Sequence, residues 1–137
     1  MVIVIDASAL AKYILGEEQW ETVAQYLEQE RVLTLGMALV EVLNVVRKAV
    51  HIHKLLSRDV AREKYLALKK LVENEVIEVE NEVKYLEKAF NLALSTGITV
   101  YDALYIVQAM EHKTQLLTSD RGQAEVAKNL GVTAVIV

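Results

Sequence analysis

A chain of 137 residues, 53% hydrophobic and 25% charged, is long enough for one domain with a substantial core. It has no cysteine, which excludes disulfides, a thiolate nucleophile and cysteine-based zinc sites, and no apolar run approaches the ~20 residues of a membrane span. The net charge of −4 is unevenly spread: the stretch from Arg47 to Lys70 holds eight basic residues against Asp59 and Glu63 and so carries +6, leaving −10 for the rest.

In chain order, Val2 to Ile5 reads as a buried strand, because a β-branched run with no polar alternation suits a strand covered on both faces. The start, Met-Val-Ile-Val-Ile-Asp, has neither basic residues nor a cleavage site and predicts no signal peptide, so the expected compartment is the cytoplasm. Ala7 to Leu15 predicts a helix stopped at Gly16. Glu18 to Glu30 predicts a second, with Trp20, Val23, Ala24 and Leu27 on one stripe. A strand follows over Arg31 to Leu35, then an apolar helix over Met37 to Val50. Ser57 is placed to cap a long helix through about Val72. The remainder reads as strand Val76 to Val79, helix Val83 to Ser95 closed by Gly97, and helix Tyr101 to His112. The chain then ends with strand Gln115 to Thr118, helix Gln123 to Leu130 and strand Thr133 to Val137. Alternating helices and continuous apolar strands signal an α/β fold with a parallel sheet covered on both faces. There is no repeat or linker, and residues 1–137 read as a single domain.

Four acids stand where apolar runs meet polar ones: Asp6, Glu41, Asp102 and Asp120. Isolated charge at the edge of a core is costly, and open α/β sheets place their sites beyond the carboxyl ends of the strands, where Asp6 and Asp120 fall. A hard divalent cation, Mg²⁺ or Mn²⁺, would reconcile several such carboxylates and would support hydrolysis of a phosphodiester. Ser8, Thr118 and Ser119 carry hydroxyls beside the acids, and Asn44 shares a helical stripe with Glu41 and Lys48. Each acid also has a local use. Asp6 and Asp120 could cap the helices that follow them, Thr99-Val-Tyr-Asp102 has capping-box spacing, and Glu41 could pair with Arg47 or Lys48. Basic residues flank the acids, and Lys12, Arg47, Lys48, Arg58 and Arg62 are the candidates for contact with a nucleic acid; a solvated helix face explains them equally well. Tyr101 and Tyr105 read as core packing.

Val-Ile-Asp6-Ala-Ser8-Ala-Leu-Ala-Lys12, Glu41-Val-Leu-Asn44, Tyr101-Asp102-Ala-Leu-Tyr105 and Leu-Thr118-Ser-Asp120, in this order and across nearly the whole length, resemble the PIN-domain family, its VapC-like ribonuclease toxins in particular. The resemblance implies a three-layer sandwich with a five-stranded parallel sheet of order 3-2-1-4-5 between helices. It implies that Asp6, Glu41, Asp102 and Asp120 hold Mg²⁺ or Mn²⁺ in an endoribonuclease, with Asn44, Ser8 and Thr118 in support. It also implies a homodimer and a small antitoxin protein that covers the groove. Gly36 departs from the pattern, standing where many relatives carry proline, and so does Arg121-Gly122 after the last acid; neither removes a ligand. The competing expectation is a catalytically silent module of the same fold that binds RNA or protein.

Overall fold

A computed structural model describes all of residues 1–137. Five strands, β1 (Val2–Ile5), β2 (Arg31–Leu35), β3 (Ile77–Glu80), β4 (Gln115–Thr118) and β5 (Ala134–Ile136), form one parallel sheet of order β3-β2-β1-β4-β5. The helices are α1 (Ala7–Leu15), α2 (Trp20–Gln29), α3 (Gly36–His51), α4 (Arg58–Glu73), α5 (Leu86–Thr96), α6 (Val100–Glu111) and α7 (Arg121–Asn129). The expected class, order and alternation are the observed ones. The central strands are apolar because both faces are covered: Val4, Ile5, Leu116 and Leu117 are fully buried. No single helix is long and apolar enough to cross a membrane.

Element ends differ from expectation where local bonding decides them. Asp120 caps α7 through Gln123 N–H, so that helix starts at Arg121 and not at Gln123. Glu82–Tyr85 forms a 3₁₀ turn, begun by the Asn81 side chain accepting from Val83 N–H, and α5 proper begins only at Leu86. Gly16 ends α1 at φ +67°, a left-handed conformation that glycine takes without steric cost.

Register explains why the acids can meet. Val4 pairs with Leu33, and Leu35 pairs with Glu80, so Asp6, Leu35 and Glu80 lie at one level across three strands. Ile5 pairs with Leu117, which puts Thr118 at the same level on the other side of Asp6. The carboxyl edge of the sheet therefore carries Asp6, Thr118 and Glu80 just beyond a largely apolar interior.

Candidate active site

Asp6 leaves the end of β1 and caps α1. Its Oδ1 accepts from Ala9 N–H (3.1 Å) and from the Ser8 hydroxyl (2.7 Å), and its Oδ2 accepts from the Thr118 hydroxyl. Asp120, after β4, uses Oδ1 to cap α7, while its own N–H donates to Thr118 Oγ1 (3.0 Å). Both capping readings therefore hold. They coexist with a site, because in each aspartate the cap occupies one oxygen of two. In the Thr99–Asp102 pair only one limb of a capping box forms: Asp102 N–H donates to Thr99 Oγ1 (3.1 Å), and Asp102 sits in the first turn of α6. Glu41, half-buried on α3, pairs with neither Arg47 nor Lys48 but accepts from the Tyr105 hydroxyl at 3.1 Å.

The four carboxylates share one electrostatic environment. Asp6 is 5% exposed, and burial raises its carboxyl above the usual 3.8 against the downward pull of Thr118, Ser8 and Ala9; the Asp102 charge adds to the rise. Burial also raises Glu41, opposed by the Tyr105 hydrogen bond and reinforced by Asp6 and Asp102. Asp102 is raised by burial and then by Asp120. Every ion pair of the molecule lies elsewhere, so no lysine, arginine or histidine neutralises any of the four.

That donor set fits a divalent cation on chemical grounds: hard oxygens, surplus negative charge and no basic partner. No three of the acids close into a ready-made cage. Mg²⁺ commonly binds through one or two carboxylates and keeps several waters, so it does not require such a cage.

The supporting residues divide. Ser8 and Thr118 touch Asp6 directly, and Ser8 Oγ also accepts from Ser119 N–H (2.9 Å). The Ser119 hydroxyl, expected beside Asp120, instead donates to the carbonyl of Val137. Asn44 is exposed, and its Oδ1 accepts from Arg47 Nε (3.0 Å). Lys12 Nζ donates to the Val137 carbonyl (3.0 Å). Arg47, Arg58 and Arg62 line a groove of about 480 Å³ between α3 and α4 whose floor is apolar, with Leu43, Val46 and Val50. Lys48 is exposed on α3, and Tyr101 is exposed rather than in the core.

Three residues near the acids make contacts that the sequence does not announce: Tyr105, expected in the core and buried there, and Glu82 and Gln123, which are not among the expected site residues. Tyr105, 2% exposed, is held far above the usual tyrosine value by burial and by Glu41, so its hydroxyl remains a donor. Glu82 places its carboxylate against Gly36, where a Cβ would come within 3.1 Å of Oε2; a negative charge there opposes the positive end of the α3 dipole. Gln123, 3% exposed, donates from Nε2 to the Asp102 carbonyl at 3.0 Å. Its position three residues after Asp120 matches capping-box spacing, the one sequence signal that could have singled it out.

The PIN domain family model matches residues 3–129. The chain is 38% identical over 127 residues to Ribonuclease VapC3 of Pyrobaculum aerophilum, covering 91% of this chain and 94% of that one. Among solved structures it resembles PAE2754 from Pyrobaculum aerophilum, with a TM-score of 0.72 at 23% identity, over 98% of this chain and 84% of the other. It also resembles VapBC2 from Rickettsia felis, solved bound to a DNA fragment from the promoter, with a TM-score of 0.66 at 12% identity over 100% and 99% of the two chains.

Proposed function

This chain belongs to the PIN-domain family, and from that membership we propose that residues 1–137 act as one metal-dependent endoribonuclease domain, the toxin of a toxin–antitoxin pair. The observation that carries the reading is the group of carboxylates Asp6, Glu41 and Asp102, which repel one another, with Asp120 beside Asp102 and no basic partner at any of the four. Asp6, Glu41, Asp102 and Asp120 would hold Mg²⁺ or Mn²⁺. A cation there supplies the charge that offsets the phosphodiester and makes a water acidic enough to attack.

The rest of the work falls to the chain's own side chains. Ser8 and Thr118 fix the Asp6 carboxylate from both oxygens, and Tyr105 fixes Glu41. The cap bonds of Asp6 and Asp120 tie two of the acids to rigid helix starts, so little reorganisation accompanies substrate binding. Lys48 and the arginines of the α3–α4 groove offer positive charge to the RNA backbone.

A small antitoxin protein covers this groove in the proposed inhibited state. A second copy of the chain is the other proposed partner: Val83, Leu86, Phe90 and Leu94 are all exposed and recur every three or four residues, an apolar stripe on the α5 side. A cytoplasmic setting fits a chain without cysteine.

The test is cleavage of RNA with Mg²⁺ or Mn²⁺ and with chelator. The expected result is metal-dependent cleavage that falls about 10³-fold in Asp6→Asn and in Asp102→Asn, as loss of several kcal/mol of transition-state stabilisation requires. Undiminished cleavage by both variants in chelator overturns the reading.

A further inference from the structure

Gln123 is one of five polar or charged residues buried in this chain, and its side chain is poorly matched to its surroundings. Nε2 donates to the Asp102 carbonyl, while Oε1 is buried with no hydrogen-bond partner. A buried acceptor left unpaired carries the desolvation penalty of that group with nothing to offset it. The bond that Nε2 makes is not needed by its acceptor, since a carbonyl in the first turn of a helix already faces the N–H four residues on. For stability alone, a methionine or leucine would pack the same space without the orphaned oxygen.

What the amide does accomplish is a link between two helices. The Gln123 backbone N–H donates to Asp120 Oδ1 (3.1 Å), and the side chain of the same residue reaches the Asp102 backbone. The glutamine of a capping box would fold back on its own helix start; here that role is vacated, because Asp120 N–H goes to Thr118 Oγ1. The freed side chain crosses from α7 to α6. One residue thus touches the elements that carry Asp102 and Asp120, two carboxylates that repel one another.

We propose that Gln123 is a positioning residue that latches α6 to α7 and sets the spacing of Asp102 and Asp120 for a shared divalent cation. The inference rests on the metal-dependent reading above. The latch opposes the mutual repulsion that would otherwise let the α6 and α7 starts move apart when no cation is bound. It tunes metal affinity at some expense to the fold, which explains why an ill-satisfied amide is retained.

The experiment is Mn²⁺ binding by isothermal titration calorimetry, with thermal melting in chelator, for the native chain, Gln123→Met and Gln123→Leu. The expected result is a Kd for Mn²⁺ raised about 10–100-fold in both variants, the effect usual for a residue that orients a ligand, with a metal-free Tm equal to or above that of the native chain. Native affinity in the variants overturns the latch and leaves the nuclease reading standing. A lower metal-free Tm, or failure of both variants to fold, also overturns it, because the amide would then be holding the fold and not the site. Absence of Mn²⁺ binding by the native chain overturns the metal-dependent reading and the latch with it.

Discussion

Two groups of carboxylates lie along the same edge of this sheet and are treated in opposite ways. Glu80, at the end of β3, is level with Asp6 and two strands away, about 10 Å by strand spacing. Four donors meet its carboxylate: Lys84 Nζ, Gln108 Nε2 (2.9 Å), the Tyr85 hydroxyl (2.8 Å) and His112 Nε2 (2.8 Å), from the tautomer that carries its proton there. Burial works against the charge, yet these hydrogen bonds outweigh it and bring Glu80 down to about 2. At Asp6, Glu41 and Asp102 burial wins and the carboxyls are raised. The fold therefore has the means to satisfy a carboxylate at this depth and withholds basic partners from the four acids. A carboxylate satisfied by its own chain is structural, whereas one left in charge surplus is available to something that binds.

Exchanging charge for amide at each place should separate the two treatments most sharply. Glu80→Gln removes the acceptor of Lys84 and leaves the buried donors of Tyr85 and Gln108 competing for one carbonyl oxygen. It should lower stability by about 1–2 kcal/mol, a few degrees in Tm. Asp102→Asn should leave the metal-free Tm unchanged or raise it, since it removes a raised carboxylate and relieves Asp6, Glu41 and part of the strain with Asp120. Thermal melting in chelator reads both. Equal destabilisation by the two substitutions would erase the distinction between a satisfied carboxylate and a withheld one.

The same contrast marks what was legible in the sequence. Strands announced themselves as β-branched runs, and acids at their ends were visible because the transition from apolar to charged is local. Helix starts at Ser57 and Thr99 were equally local, since capping spans three residues. The strand order came from the resemblance, as no periodicity encodes which strands pair. Links made by packing stayed hidden. Tyr105 meets Glu41 across 64 residues, and Gln108 meets Glu80 across 28. Nothing in a sequence separates a tyrosine that fills a core from one that also holds a carboxylate. Ser119 and Lys12 show the converse: Ser119 stands beside Asp120 in sequence and Lys12 lies on the helix that Asp6 caps, and both donate to the Val137 carbonyl, which no local pattern anticipates.

Acidification extends the comparison, with effects spread over a pH range. Glu80 contributes stability that is present above 4.5 and lost as pH falls from there toward about 2. The raised acids act with the opposite sign. Above 3.8 for Asp6 and Asp102, and above 4.5 for Glu41, the unfolded chain releases protons that the folded chain still binds, so stability falls as pH rises toward the raised values. Metal-free protein should therefore be most stable at mildly acidic pH, between the two regimes. Saturating Mg²⁺ or Mn²⁺ should flatten the neutral side of that profile, adding about 2.7 kcal/mol at a free concentration of 100 Kd. Melting curves across pH, with cation and with chelator, measure it; superimposable profiles would mean that the site takes no cation.

The smallest expected effect lies at the hydroxyl that links Glu41 to the core. Tyr105→Phe removes one oxygen from a residue that keeps its ring fully packed, so stability should change by less than about 1 kcal/mol. Glu41 should respond more than the fold does. Its hydrogen bond from Tyr105 is the one contact that favours the charged form, against burial and the charges of Asp6 and Asp102. Without it the Glu41 carboxyl rises further, and protons compete with the cation to a higher pH. The substitution should therefore weaken Mn²⁺ binding most at the acid end of the range and progressively less as pH increases, because at high pH Glu41 is ionised in both proteins. A uniform loss at every pH would assign Tyr105 to geometry alone. A loss confined to low pH would show that the hydroxyl keeps Glu41 charged, a function that Glu80 fills with four donors and Glu41 with one.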